Sequence, residues 1–401
     1  MTNPRMNLLQ AYPFEKLRKL LISTRPQDTG LPLVDLSVGE PKHPAPEAVR
    51  RAMVDALDGL STYPPTQGDK SLREAISQWL HTRYQIPAPD ANTMVLPILG
   101  SREALFAIAQ VVIDNTQEKA TVVCPNPFYQ IYEGATLLAG AQPYYIASLP
   151  ENHQLCDWRS VPEDVWKNTQ LVYTCSPGNP AGSVMPLSQW RDLFELSDKY
   201  GFVIASDECY SEIYFDENNP PLGGLQAAHQ LGRADFTNLL AFSSLSKRSN
   251  LPGLRSGFVA GDARLIEQFL LYRTYHGSAM SPIVSAASLA AWQDETHVLA
   301  NRQAYHEKFA AVVPILQEAF DVQQPDASFY LWMNVGEDDT KFVHDLLDQQ
   351  AVRILAGSYV SREIDGLNPG TGFVRIALVA PLDECIEGAK RIVQFARNRR
   401  S

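Results

Sequence analysis

The chain has 401 residues, 45% hydrophobic and 20% charged, with a formal net charge of -11 at pH 7. That is too long for one ordinary core, so two domains are expected, with three possible. The acidic balance speaks against a nucleic-acid or anionic-membrane surface, which needs a basic footprint, and no apolar run approaches the ~20 residues of a membrane span.

The opening stretch MTNPRMNLLQAYPFEKLRKLL lacks the continuous apolar run of a secretory signal. Its Leu17, Leu20 and Leu21 predict a short amphipathic helix after a loose start. SLREAISQWLHTRY (71–84) places Leu72, Ala75, Ile76, Trp79 and Leu80 at helical spacing, and REALFAIAQVVI (102–113) reads as a buried helix. ATVVCP (120–125) is a β-branched run stopped by proline. IYEGATLLAGA (131–141) reads as helix and QPYYIA as extended chain. A strand from Thr169 runs into the turn SPGNPAG. LSQWRDLFELSDKYG (187–201) is an amphipathic helix closed by glycine. Buried strands follow at 202–208, 238–247 and 256–261.

Beyond about residue 285 the order changes. A long helical stretch (283–320) leads to SFYLWMNV, a helix TKFVHDLLDQQ, a strand VRILAG, a loop over 358–372, a strand GFVRIALV and a last helix. The expected fold is α/β: a large domain over 46–285 with a mostly parallel sheet between helices, and a smaller α+β domain over 286–401. Residues 1–45 are expected to form an arm and part of the small domain.

Five cysteines without a CxxC pair fit a reduced, cytoplasmic location. Eight scattered histidines, with no HExxH or similar pair, predict no metal site.

In parallel sheets, ligands bind beyond the carboxyl ends of the strands. Asn179, Asp207 and Lys247 each fall near such an end. Lys247, among serines in AFSSLSKRSNLPGLRSG, is either a charge in a polar loop or a nucleophilic amine. Burial or nearby cations lower a lysine pKa and suit it to form a Schiff base with a carbonyl. Ser244, Ser246 and Arg255 suit a phosphate beside it. Asp207 is either a structural carboxylate or a partner for a heterocyclic nitrogen. Tyr210 and Asn179 are able to donate to a ring oxygen, although turn chemistry also explains Asn179. Gly100, Ser101 and Arg102 open a helix, which is an anion site or simple capping. Tyr129 either stacks on a planar ring or packs. Together these residues describe a site for a phosphorylated aromatic aldehyde, and pyridoxal 5'-phosphate meets that description.

The order VGEP, YPPTQG, GSREAL, PFYQIY, SPGNPAG, ASDECYSEIYF, SSLSKRSNLPGLRSG and FVRIAL resembles the class I/II aminotransferases, the fold-type-I pyridoxal-phosphate enzymes, over nearly the whole chain. The resemblance implies a seven-stranded-type sheet in the large domain and a homodimer with shared sites. It implies that Lys247 binds the cofactor covalently and moves the substrate proton, and that Asp207 holds the pyridinium proton. Tyr210 and Asn179 would bond the ring oxygen, and Tyr129 would stack on the ring, with Phe128 the close alternative. Gly100, Ser101, Arg102, Ser244, Ser246 and Arg255 would hold the phosphate, helped by Tyr63 of the neighbouring subunit. Arg375 would clamp the substrate carboxylate, and Gly39 would let the backbone approach it, with Asn179 beside them.

Within the family, LSVGEPKHPAPEAV and LSTYPPTQGDKSLREAI are similar to segments of bacterial succinyldiaminopimelate aminotransferases. That implies an N-succinyl-LL-2,6-diaminopimelate donor and a 2-oxoglutarate acceptor, in diaminopimelate and lysine biosynthesis. Arg248, Lys42 and Arg25 are candidates for the substrate's distal carboxylates. Aspartate, alanine or aromatic transamination, or C–S β-lyase chemistry, would use nearly the same cofactor residues. A ligand-binding regulator would need a basic DNA-binding extension, which is not expected of a chain with a negative net charge.

Overall fold

The computed structural model describes residues 2–22, 30–336 and 338–400. Its strands are β1 (Val34–Asp35), β2 (Val95–Ile98), β3 (Thr121–Asn126), β4 (Gln142–Ala147), β5 (Thr169–Cys175), β6 (Val203–Asp207), β7 (Leu239–Ser244), β8 (Gly257–Gly261), β9 (Tyr330–Asn334), β10 (Val352–Arg353), β11 (Leu355–Ala356) and β12 (Phe373–Ala377).

Seven of them form one sheet in the order β2-β8-β7-β6-β5-β3-β4. β8 runs antiparallel to both its neighbours, and the pairings from β7 to β4 are parallel. The central strands are apolar along their length because helices cover both faces. Successive residues then feed two cores. Leu171, Ala205 and Leu240 join the helices Ser101–Val112, Ile131–Ala139 and Ala263–His276 on one side. Val172, Ile204 and Leu239 join Lys70–Tyr84, Leu187–Tyr200 and Pro282–Gln293 on the other.

A third core gathers Leu17, Val34 and Leu36 with Phe309, Leu331, Val374 and Ile376. It is built on the antiparallel sheet β11-β12-β9, with β1 paired in parallel to β10 nearby. Among the described residues, no helix is long and apolar enough to cross a membrane, and no group of His, Cys, Asp and Glu has a metal-binding arrangement.

Four local expectations are corrected. The helical stretch 283–320 is two helices, Pro282–Gln293 and Thr296–Gln317, separated by a turn at Asp294, whose Oδ1 accepts from the Thr296 N–H at 3.0 Å. β3 runs through Pro125 to Asn126 instead of stopping at the proline, which removes only one donor from the ladder. VRILAG splits into two short strands that serve different sheets. The strand over 238–247 ends at Ser244, whose Oγ accepts from the Ser246 N–H at 3.1 Å and caps the one-turn helix Leu245–Arg248.

Candidate active site

β5, β6 and β7 are parallel, so their carboxyl ends lie on one edge of the sheet. Cys175, Asp207 and Ser244 close those strands, and a cavity of about 490 Å³ opens there. Asn179, Asp207, Tyr210, Ser244, Ser246 and Lys247 all line it. So do Gly39, Ser101, Arg102, Tyr129, Arg255 and Arg375, brought in by other elements.

Lys247 stands on the capped turn after β7 and donates from Nζ to the Gly39 carbonyl at 2.9 Å. Burial, helped by the charges of Arg375 and Arg102, pushes its amine down to about 8, although Cys209 and Glu40 pull the other way. A buried amine lowered in this way has a far larger neutral fraction near physiological pH than an ordinary lysine, and nucleophilic attack on a carbonyl requires the neutral form.

Asp207 is 5% exposed. Oδ2 accepts from the Tyr132 hydroxyl at 2.7 Å, and Oδ1 from the Cys209 N–H at 3.3 Å. Burial raises its carboxyl, and these hydrogen bonds oppose the rise. Among the described residues no cation forms an ion pair with it. A protonated ring nitrogen would complete its environment.

At the other end of the cavity, hydroxyls and a guanidinium gather at a helix start. Ser101 begins the helix Ser101–Val112, whose first N–H groups lack intrahelical partners. Ser244 Oγ and Ser246 Oγ lie 2.9 Å apart. Arg255, in the left-handed region at φ 56°, donates to the Pro252 carbonyl at 2.9 Å. Gly100 has φ 87°, and a Cβ there would sit 2.2 Å from Arg255 Nη2. Only glycine lets the guanidinium pass this close to the helix start. This donor set fits a phosphate. The Arg102 guanidinium donates to Tyr129 Oη at 2.6 Å and Tyr12 Oη at 3.4 Å, both of which line the same cavity.

Arg375, on β12, donates to Asn179 Oδ1 and to the Ser37 carbonyl, both at 3.0 Å. Its Cζ lies 4.2 Å from the centre of the Tyr330 ring. Tyr330 Oη is 3.2 Å from Tyr210 Oη and occupies the space a Cβ on Gly39 would need. The glycine therefore makes room for a tyrosine, and its carbonyl receives the lysine.

Not every expected residue reaches the cavity. Phe128 is buried beside Tyr145 and beneath Arg362, so of the two adjacent aromatics Tyr129 is the one that lines the cavity. Tyr63 is 98% exposed and outside it. Arg248 is enclosed between Trp79 and Trp292 and paired with Glu295, so it is a core residue and not a distal-pocket cation. Lys42 is also outside the lining, and Arg25 lies outside the described residues.

Tyr12, Tyr132 and Tyr330 are site residues the sequence reading missed. Tyr132 is the second residue of the helix Ile131–Ala139, and nothing in the sequence pattern pointed to its bond with Asp207. Tyr12 offered only the neighbouring AYPF turn as a signal, and Tyr330 none beyond a strand pattern.

Residues 32–392 match the family described as aminotransferase class I and II. The LL-diaminopimelate aminotransferase of Aquifex aeolicus is 30% identical over 97% of each chain. The crystal structure of an aminotransferase from Neisseria meningitidis is 52% identical, covers 99% of this chain and 100% of its own, and superposes with a TM-score of 0.96. A probable N-succinyldiaminopimelate aminotransferase from Thermus thermophilus is 26% identical over 95% of this chain and 98% of its own, with a TM-score of 0.82.

Proposed function

The chain belongs to the class I and II aminotransferases, a pyridoxal 5'-phosphate-dependent family, and from that premise we propose that it transfers the amino group of N-succinyl-LL-2,6-diaminopimelate to 2-oxoglutarate. The observation that carries the transamination reading is the buried Lys247 amine in one cavity with Asp207, a phosphate-type cradle and Arg375. The diaminopimelate assignment draws on the sequence segments noted above and on the Thermus relative.

The cofactor supplies an aldehyde for the lysine amine and a conjugated pyridine ring that accepts the electron pair left when a bond to the substrate Cα breaks. The chain's own residues do the rest. Lys247 Nζ would hold the cofactor and, once displaced by the substrate amine, would act as the general base that takes the proton from the substrate Cα and delivers it to the cofactor's C4'. Asp207 keeps the ring nitrogen protonated, and Tyr132 keeps Asp207 ionised and oriented. Tyr210 and Asn179 bond the ring oxygen, and Tyr129 covers a ring face. Gly100, Ser101, Ser244, Ser246 and Arg255 hold the phosphate, with the Arg102 main chain at the same helix start. Arg375 binds the substrate α-carboxylate as a planar fork, and Gly39 and Asn179 border that carboxylate.

A second reading is transamination of unsubstituted LL-diaminopimelate. The Aquifex relative carries that name. Glu40 also lines the cavity, where its carboxylate suits a distal ammonium better than a distal carboxylate.

We also read the chain as a cytoplasmic homodimer of two-domain subunits. The five free cysteines suit a reducing compartment. Tyr63, almost fully exposed in the single chain, suits a role at the partner's phosphate.

The test is a single half-reaction on the cofactor-loaded enzyme, followed by cofactor absorbance. Glutamate, N-succinyl-LL-diaminopimelate, LL-diaminopimelate, aspartate, alanine, phenylalanine and cystathionine are compared as donors. The succinylated donor is expected to react far faster than the ordinary amino acids. Preference for the unsubstituted compound would select the second reading. Pyruvate from cystathionine without cofactor conversion would contradict transamination.

A further inference from the structure

A buried polar chain outside the cavity ends on the backbone of Lys247. The helix Thr296–Gln317 presents Asn301, Tyr305 and Lys308 at four- and seven-residue spacing, on one face. Asn301 and Lys308 are 4% and 3% exposed. Asn301 Nδ2 donates to the carbonyls of Lys247, at 3.2 Å, and Arg248, at 3.4 Å. That fixes the amide's orientation, so its Oδ1 is the acceptor for His43 Nδ1 at 2.8 Å. His43 Nε2 is 2.7 Å from Lys308 Nζ, which also donates to the Val379 carbonyl at 3.3 Å. A neutral imidazole protonated on Nδ1 serves both of its neighbours: it gives to Asn301 and takes from Lys308.

The route matters because of where His43 sits. It is four residues beyond Gly39, whose carbonyl holds the Lys247 amine. The amine is thus held at its tip by the Gly39–His43 strip. The backbone that carries it is held by Asn301, which is bonded to that same strip. Val379, just past β12, and Lys308 anchor the far end.

We propose that His43, seated between Lys308 and Asn301, is a positioning residue that registers the Gly39 strip against the Lys247 turn. The inference rests on the reading of Lys247 as the cofactor-bearing amine. A purely apolar residue at position 43 would leave Asn301 Oδ1 and Lys308 without their partner. An amide of similar reach would replace both bonds. The charged and titratable groups facing the pair are Lys42, the residue before His43 on the same strip, and Cys385 and Tyr305 from other segments; all remain in every variant below.

The test compares wild-type holoenzyme with His43→Phe and His43→Gln. Three quantities are read: the pH midpoint of the cofactor absorbance band, the split between kcat and KM, and the thermal midpoint. His43→Phe should move the absorbance midpoint by about half a unit or more. It should also lower kcat about tenfold or more with KM little changed, because small displacements of a reacting group are costly. His43→Gln should restore both. If His43→Phe does not fold, Asn301→Ala should give the same shift. A lower thermal midpoint with unchanged absorbance and kcat overturns the positioning role, as do equal losses in the Phe and Gln variants. A cofactor band that persists in Lys247→Ala overturns the underlying reading of Lys247 instead.

Discussion

Tyr132 donates its hydroxyl to Asp207 Oδ2 across 2.7 Å, from a ring stacked 4.6 Å from Tyr173 in a fully buried setting. The carboxylate that faces the cavity is therefore held from behind by a neutral donor. Its ion-pair capacity remains free for a ligand.

Tyr132→Phe should raise the Asp207 pKa further, because it removes a bond that favours the charged form. Losing a hydrogen bond to a buried charged group costs about 1–3 kcal/mol. Cofactor affinity and kcat should both fall. Equilibrium dialysis and steady-state rates check this, and wild-type affinity would count against the proposed role of Asp207.

Gly100→Ala places a Cβ against Arg255 Nη2 in a backbone region that suits glycine. Strain of this kind costs about 1–3 kcal/mol, and the guanidinium must move from the cradle. A lower melting temperature together with weaker cofactor binding is expected. Weaker stability with unchanged cofactor affinity would remove Arg255 from the phosphate site.

Arg375→Lys replaces a two-pronged donor with a single ammonium. It should lower kcat/KM for amino acids about 100-fold, the scale of losing a buried charged hydrogen bond. Amines lacking a carboxylate should be far less affected. Equal losses for both substrate classes would show that Arg375 supports the site only through Asn179 and Ser37.

Lys247 has its amine lowered to about 8, chiefly by burial. Below that pH the neutral fraction falls about tenfold per unit, and above it the fraction levels off. The rate of cofactor capture by the cofactor-free protein should therefore rise with pH and flatten near 8. A rise continuing to pH 10 would mean that the amine keeps its ordinary pKa.

Most of the fold and much of the site were legible because buried strands alternate with amphipathic helices, and parallel strands put chemistry at their carboxyl ends. Lys247, Asp207 and Asn179 could be placed on one edge from that rule alone. Tyr330 could not, because its position depends on β9 pairing with β12 across some forty residues and on Gly39 packing against it. Arg248, next to Lys247 in sequence, looked like a pocket cation. A one-turn helix turns it toward Trp79 and Trp292 instead, and single-residue differences in helical direction are invisible to composition. The choice between Phe128 and Tyr129 was open for a similar reason: adjacent aromatics after a turn take opposite sides, and only packing decides which one meets the cavity.

The central claim is that Lys247 carries the cofactor. The direct measurement is borohydride reduction of the pyridoxal-phosphate-loaded protein, followed by peptide mapping of the labelled lysine. The account predicts a single phosphopyridoxyl label on Lys247. A stoichiometric label on another lysine, with Lys247 unmodified, would contradict it.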